Sequence, residues 1–170
     1  MLIVLGGLPA SGKTTLAVHL ARELGAVHLR IDTIEQSMRD SGLALAGPEG
    51  YLVACALAAD NLRLGHRVIA DSVNPIQITR NGWRDVANRT GEAIVEIHVV
   101  CSDRAEHRRR VESRVADIPG HKLPNWQQVL EREFEPWEGS IVIDTAGKTP
   151  EESILSIRER LRWVEPQTAD

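Results

Sequence analysis

The sequence predicts an α/β fold, with a parallel sheet and helices on both of its faces, from two observations. Short apolar runs rich in β-branched residues recur along the chain, and helix-length segments separate them. Strands that are apolar throughout are typical of a parallel sheet covered on both sides. The length of 170 residues suits one domain with a substantial core and is too short for two ordinary ones. We therefore expect residues 1–170 to form a single domain.

The strands and helices follow in order from these patterns. The apolar runs predict five strands, at 2–6, 26–31, 66–71, 93–100 and 140–144. Leu16, Leu20 and Leu24 recur every four residues before Gly25, which predicts a helix over 14–24 that stops at the glycine. Similar patterns predict helices near 33–41, 48–64, 76–90, 103–116, 124–134 and 150–163. Two prolines and a glycine interrupt segment 116–126, which predicts a mobile loop within the same domain.

Composition disfavours several classes of protein and partner. A content of 42% hydrophobic and 26% charged residues is typical of a globular soluble chain. The net charge of -4 repels a polyanion, so a nucleic-acid partner is disfavoured. Cys55 and Cys101 are too far apart for a CxxC site and suit a reducing cytoplasm. The first apolar run is too short for a signal peptide or a membrane span, so we expect a cytoplasmic protein without a membrane partner.

The strongest local signal is GLPASGKT at residues 7–14, which matches GxxxxGK[ST] between a predicted strand and a predicted helix. Gly7 and Gly12 let the backbone curl so that successive amides face a phosphate. Lys13 then reaches the β- and γ-phosphates, Thr14 offers its hydroxyl to Mg²⁺, and the dipole of the following helix adds to the attraction. The loop therefore predicts a site for a nucleoside triphosphate with magnesium.

This loop does not specify what happens to the phosphate. The tetrapeptide DTAG at 144–147 imitates the DxxG of a GTPase, but it lies at the last strand and no NKxD follows. A ring ATPase needs a longer chain with a second helical subdomain. A small kinase is the favoured interpretation, and a nucleotide-binding regulatory ATPase is the alternative.

Asp32 is the candidate catalytic base. It follows the second predicted strand, at the sheet edge where ligands of open parallel sheets bind. A carboxylate there can accept the proton of a hydroxyl that attacks the γ-phosphate. The run DTIE also has the form of a capping box, in which Asp32 caps a helix and Glu35 reaches back. The sequence leaves both roles open.

Two acids follow apolar strands and compete for the metal. Asp71 ends HRVIAD and Asp144 ends IVID. We favour Asp71, because its strand is expected beside the strand that precedes the glycine loop, whereas the last strand is expected toward the nucleotide base. A cap for the following helix is the alternative role of Asp71.

The most basic stretch, CSDRAEHRRRVESR, places His107, Arg110 and Arg114 on one face of a predicted helix directly before the 116–126 loop. We interpret Arg110 and Arg114 as lid arginines that close over the nucleotide, Arg110 against the adenine and Arg114 on phosphate. The alternative is a solvated helix in which Glu106 pairs with Arg110.

Five segments, GGLPASGKTT, RIDTIEQSM, VIADSVNP, HRRRVESR and IDTAGKTPEE, resemble in order the small bacterial P-loop kinases. That group includes the kinase domain of bacteriophage-type polynucleotide kinase, chloramphenicol phosphotransferase and zeta toxin. The resemblance implies a three-layer P-loop NTPase fold with an adenylate-kinase-like, five-stranded parallel sheet and a short lid at about 110–126. It also implies ATP, Mg²⁺ and transfer of the γ-phosphate to a hydroxyl.

The resemblance implies roles for individual positions as well. The catalytic residues are Lys13, Asp32, Arg110 and Arg114, and the metal is held by Thr14 and Asp71. The nucleotide-binding residues are Gly7, Pro9, Ala10, Ser11, Gly12, Lys13, Thr14, Thr15, Arg110, Thr145 and Gly147.

The acceptor is less well defined. Polynucleotide kinases of this type carry an arginine three residues after the base, where this chain has Glu35. Together with the acidic net charge, this favours a small-molecule hydroxyl of nucleoside, sugar or antibiotic type over a polynucleotide 5′-hydroxyl. The DGD signature of adenylylsulfate kinases does not occur in the chain. The identity of the acceptor and the oligomeric state stay open.

Overall fold

A sheet of five parallel strands, in the order β2-β3-β1-β4-β5, forms the centre of the protein. The structure is a computed structural model and describes residues 1–161. The α/β class and the five predicted strands are confirmed, with strand ends within two residues of those expected. The strands are β1 Leu2–Gly6, β2 Val27–Arg30, β3 Val68–Asp71, β4 Ile94–Val100 and β5 Ile141–Asp144.

Helices cover both faces of the sheet, which gives the three predicted layers. Alternate residues of β1 point to opposite sides, so Val4 packs with Trp83 of one core cluster and Leu5 packs with Leu16 and Ile157 of the other. None of the helices within residues 1–161 has the length and apolar character needed to cross a bilayer. The helices are α1 Lys13–Leu24, α2 Ile31–Asp40, α3 Glu49–Arg63, α4 Gln77–Thr90, α5 Arg104–Ser113, α6 Trp126–Leu130 and α7 Pro150–Leu161.

The helix ends differ from the prediction around the lid segment. Helix α5 ends at Ser113, and Arg114 is extended with φ -70° and ψ 136°, so the prediction that the helix runs to 116 is wrong. No helix or strand lies between Arg114 and Asn125, which confirms the predicted loop. Helix α6 covers only 126–130 of the predicted 124–134, because the chain after it turns back to pack on the start of α4. Of the predicted last helix, residues 162–163 lie outside the described residues.

Arg80 connects that returning chain to the segment after β3. Its side chain is fully buried, and the guanidinium lies 5.2 Å from the ring centroid of Phe134 and 4.9 Å from that of Trp137. It donates hydrogen bonds to the carbonyl oxygens of Asn74, Pro75, Glu135 and Pro136. A single side chain thus satisfies backbone acceptors from two distant segments.

Replacing Arg80 with methionine is expected to lower the free energy of unfolding by about 3–5 kcal/mol, because methionine fills space but leaves buried carbonyl groups without a donor. Urea denaturation followed by circular dichroism measures the change. Arg89→Met is the matched control, since Arg89 is exposed on the same helix, and its expected loss is about 0.5 kcal/mol or less. A loss below about 1 kcal/mol for Arg80→Met would contradict the assigned role.

The cysteines are both free thiols. Burial raises the pKa of Cys55 to about 11, so at pH 8 about one thiol in a thousand is the reactive thiolate. We expect iodoacetamide to label Cys55 of the folded protein far more slowly than Cys55 of the urea-unfolded protein, as measured by peptide mass spectrometry. Equal labelling rates in the folded and the unfolded protein would show that the Cys55 thiol is not buried in the folded protein.

Candidate active site

The loop between β1 and α1 has a backbone that only glycine tolerates at two positions. Gly7 and Gly12 have φ angles of 147° and 97°. A Cβ atom at Gly7 would lie 2.1 Å from the carbonyl oxygen of Val99, so a side chain there is excluded by contact as well as by conformation. Ala10 also has a positive φ, 64°, a conformation that L-residues rarely adopt and that is often found at binding sites.

Three hydrogen bonds from distant elements hold this loop. The Gly7 amide donates to the Val73 carbonyl at 2.9 Å, and the Thr145 hydroxyl donates to the Ser11 carbonyl at 2.8 Å. The buried His107 places Nε2 2.8 Å from the carbonyl oxygen of Pro9, which requires the proton on Nε2. The sequence placed His107 on the arginine face of a helix and missed this role. The loop is therefore fixed by α5, by the segment after β3 and by the segment after β5.

Lys13 is a nearly buried cation, 7% exposed, at the start of α1. Its Nζ makes one long hydrogen bond, 3.5 Å, to the carbonyl oxygen of Leu8. Burial lowers the pKa of Lys13 below its ordinary value, and the nearby carboxylates of Asp71 and Asp32 oppose this shift. An ammonium group in this position is poorly solvated and would gain from a bound anion.

One cleft lies over the glycine loop and has a volume of about 400 Å³. We call it the nucleotide cleft, and its polar lining includes Lys13, Thr14, Thr15, Arg30, Arg110, Arg114, Asp117, Thr145 and Lys148. Arg110 donates to the Thr145 hydroxyl at 2.8 Å and to the Thr145 carbonyl at 2.9 Å, and it also pairs with Glu106. The Glu106–Arg110 pair expected for a solvated helix is thus present, and Arg110 lines the cleft as well.

The second cleft has a volume of about 630 Å³ and contains Asp32. Its walls are α2 on one side and the loop after α5 on the other, and it shares Lys13 and Arg114 with the nucleotide cleft. The residues that line it are Pro9, Lys13, Asp32, Glu35, Gln36, Arg39, Val73, Arg114, Gly120, His121, Lys122, Pro124 and Arg132.

Asp32 is half-buried in the first turn of α2 and does not cap the helix. Helix α2 begins at Ile31, its N-cap is Arg30, and no side chain caps it, so the capping-box alternative for Asp32 is wrong. The helix starts two residues earlier than predicted, because β2 leads into it without a connecting loop. Within residues 1–161, the Asp32 carboxylate has no hydrogen-bond partner.

The two candidate metal acids lie in different surroundings. Asp71 is 2% exposed at the end of β3, which pairs with β1 as expected, and it faces His28 Nε2 at 3.4 Å and Arg30 Nε at 4.0 Å. Asp144 Oδ1 accepts from the amides of Ser102 and Ala146, each at 3.0 Å, and its Oδ2 accepts from the Ser102 hydroxyl, so both oxygens are already engaged.

The two residues predicted to hold magnesium, Thr14 and Asp71, both offer oxygen donors. Within residues 1–161, no group of three or more His, Cys, Asp or Glu side chains forms a protein-only metal centre. Magnesium does not need one, since it binds few carboxylates and takes its remaining ligands from phosphates and water. The oxygen donors Thr14, which lines the nucleotide cleft, and Asp71, whose charge acts on Lys13, are of the kind that magnesium prefers.

A contact that the sequence did not indicate attaches the loop after α5 to the end of β2. The guanidinium of Arg30 binds both carboxylate oxygens of Asp117, one of them at 3.0 Å. This hydrogen bond is the main cause of the lowered pKa of Asp117. The loop after α5 is therefore attached to the end of the strand that precedes Asp32.

The structure brings most of the predicted site residues to these two clefts. Of the predicted site residues that line a cleft, Pro9 and Asp32 line only the second one, and Lys13 and Arg114 line both. The others line only the nucleotide cleft. Four predicted residues line neither cleft. Gly7 and Ser11 belong to the glycine loop but are not in either lining, and Asp71 is buried at the end of β3. The Gly147 amide donates to Glu106 at 2.9 Å.

A glycine loop between the first parallel strand and a helix, with a buried lysine at the start of that helix, defines a P-loop nucleotide-binding domain. A family model for an AAA domain matches residues 2–133. The chain belongs to this AAA domain family.

Similarity to kinases extends over almost the whole chain. The probable adenylyl-sulfate kinase of Aeropyrum pernix is 27% identical over 171 aligned residues, which cover 96% of this chain and 93% of that protein. The Mycobacterium tuberculosis APS kinase in complex with AMPPNP and APS superposes with a TM-score of 0.71 at 16% identity, covering 95% of this chain and 96% of that one. A gluconokinase from Sinorhizobium meliloti gives a TM-score of 0.62 at 16% identity, covering 96% and 97%. The resemblance to the small P-loop kinases is confirmed, and with it the class of ATP-dependent phosphotransferase.

Proposed function

We propose that this protein is a kinase that transfers the γ-phosphate of ATP to a hydroxyl group of a small molecule. One observation carries the proposal: two clefts meet at Lys13 and Arg114, with the glycine loop in one and Asp32 in the other. A protein that only binds or hydrolyses a nucleotide needs the first cleft alone. The second cleft offers room for a separate acceptor beside the terminal phosphate.

The residues of the nucleotide cleft hold ATP in this proposal. The backbone amides at the end of the glycine loop, up to Lys13, and the ammonium of Lys13 bind the phosphates in this proposal. Arg110, Thr145 and Gly147 lie on the adenine side. Thr14 and Asp71 hold Mg²⁺, which would neutralise part of the charge on the β- and γ-phosphates when bound.

Transfer requires a base on the acceptor side. Asp32 accepts the proton of the acceptor hydroxyl while that oxygen forms a bond to the γ-phosphorus. The bond from the γ-phosphorus to the bridging oxygen breaks, and ADP leaves with the electron pair. Lys13 and Arg114, at the junction of the clefts, stabilise the negative charge on the transferring group.

The acceptor is proposed to be a small molecule, because the chain is acidic overall and carries Glu35 in the second cleft. The names of the relatives suggest adenylyl sulfate and gluconate as the first compounds to test. Nucleosides, sugars, aminoglycosides and phenicols extend the panel, and a 5′-hydroxyl oligonucleotide tests the polynucleotide alternative.

Labelled ATP tests the proposal directly. The purified protein is incubated with Mg²⁺, [γ-³²P]ATP and each compound, and the products are separated by chromatography. We expect label in at least one small molecule and none in reactions with Lys13→Met. Release of inorganic phosphate at one rate, whichever compound is present, would instead support a regulatory ATPase.

A further inference from the structure

The second cleft is rich in cations although the protein is acidic. Its lining carries five cationic side chains and two carboxylates, whereas the whole chain has a net charge of -4. The cations are Lys13, Arg39, Arg114, Lys122 and Arg132. A concentration of positive charge against the overall balance indicates an anionic ligand at this place.

Three of these cations are paired with a carboxylate or also line the nucleotide cleft. Arg39 forms an ion pair with Glu35 at 2.9 Å, so these two charges offset each other. Lys13 and Arg114 also line the nucleotide cleft, where the phosphates of ATP would meet them. The charged side chains of this cleft that are not yet accounted for are Lys122, Arg132 and Asp32.

Lys122 and Arg132 have no hydrogen bond or ion pair to any other residue within 1–161. They nevertheless line the same cleft, one from the loop after α5 and the other from the chain just after α6. The loop lies close to the opposite wall, because a Cβ atom at Gly120 would come within 3.1 Å of Gln36 Nε2. Both side chains are exposed, and an anion bound in the cleft that they line would be attracted by the two charges together.

We propose that the acceptor carries an anionic group, a phosphate, sulfate or carboxylate, that Lys122 and Arg132 bind while its hydroxyl faces Asp32. The proposal rests on the kinase function proposed above and narrows its substrate class. Arginine offers a planar fork that matches such groups, and lysine adds a mobile point charge. A small molecule is favoured over a nucleic acid, because the net charge of the chain would repel an extended polyanion.

Matched acceptors test the substrate class. Transfer is compared for adenosine against AMP, and for glucose against gluconate, with the wild type and with the double variant Lys122→Glu/Arg132→Glu. We expect the anionic member of a pair to be preferred, and its KM to rise about tenfold or more in the double variant. The KM for ATP and for the neutral member should change less than about twofold. Arg22→Glu, the same change of charge at an exposed position of α1, is the control and should behave as the wild type.

Equal use of anionic and neutral acceptors by the wild type would overturn the proposal, and so would an unchanged KM in the double variant. More efficient transfer to a 5′-hydroxyl oligonucleotide than to any small molecule would overturn the assignment to a small acceptor.

A second experiment measures anion binding and does not depend on phosphate transfer. Binding of [³⁵S]sulfate is measured by equilibrium dialysis with the P-loop saturated by Mg²⁺ and AMPPNP, so that the nucleotide cleft is blocked. We expect binding to the wild type and to Arg22→Glu, and at least a tenfold weaker affinity in the double variant. If this difference is found but no compound is phosphorylated, the anion site stands and the kinase function fails. If sulfate binds equally to all three proteins, the anion site is refuted whether or not transfer occurs.

Discussion

Asp32→Asn is expected to lower kcat for phosphate transfer by about 100- to 10,000-fold, the range that a positioned general base contributes. Asparagine keeps the size of the side chain but does not accept the acceptor's proton at neutral pH. The dissociation constant for ATP should stay within about twofold, because Asp32 lines the second cleft and is not in the lining of the nucleotide cleft. Transfer is measured with labelled ATP, and nucleotide binding by calorimetry.

Stability separates this role from a structural one. Asp32 makes no hydrogen bond within residues 1–161 and does not cap α2, so the melting temperature of Asp32→Asn should stay close to that of the wild type. The loss is limited to the favourable position of its charge in the first turn of α2. Asp40→Asn is the matched control on the same helix, since Asp40 is exposed and outside both clefts. Full transfer activity in Asp32→Asn would contradict the assignment of the base, and a large fall in melting temperature would indicate a structural role.

Lys13→Met is expected to weaken ATP binding at least about 100-fold, because the lysine is the buried cation at the loop that would receive the phosphates. Isothermal titration calorimetry with Mg²⁺ measures the loss. Lys148→Met is the control: Lys148 lines the same cleft from an exposed position, and its removal should cost less than about fivefold. Similar losses in the two variants would show that charge in the cleft, and not the buried ammonium, binds the nucleotide.

The same variant should leave the nucleotide-free protein as stable as the wild type or more stable. Within the described residues 1–161, Lys13 makes a single long hydrogen bond, and its pKa is lowered chiefly by burial. Desolvation of its charge therefore lowers the free energy of unfolding. A lowered pKa in the folded state costs stability below that pKa, and the cost disappears as the pH rises through it toward 10.5. The advantage of Lys13→Met in urea denaturation should therefore shrink with rising pH. A clear loss of stability at pH 7 would contradict this account.

The residues of the second cleft show how far prediction from sequence extends. Asp32 could be proposed as a candidate because a carboxylate directly after a buried strand is a local pattern. Lys122 and Arg132 carry no such pattern, since they lie in a stretch interrupted by prolines and about 90–100 residues from Asp32 in the chain. His107 and Arg30 were missed for the same reason: their partners, the Pro9 carbonyl and Asp117, are distant in sequence.

The sequence by itself determined the strands, the helices outside the lid and the glycine loop with Lys13. Each depends on interactions between near neighbours in the chain: apolar runs bury themselves, and Gly7 and Gly12 permit a backbone that other residues resist. Only the tertiary structure decided that Asp71 is buried at the end of β3, that Asp144 accepts a hydrogen bond from the Ser102 amide, and that two clefts meet at Lys13 and Arg114. The physical reason is that these arrangements arise from the packing of helices on the sheet, which joins residues that no short segment contains together.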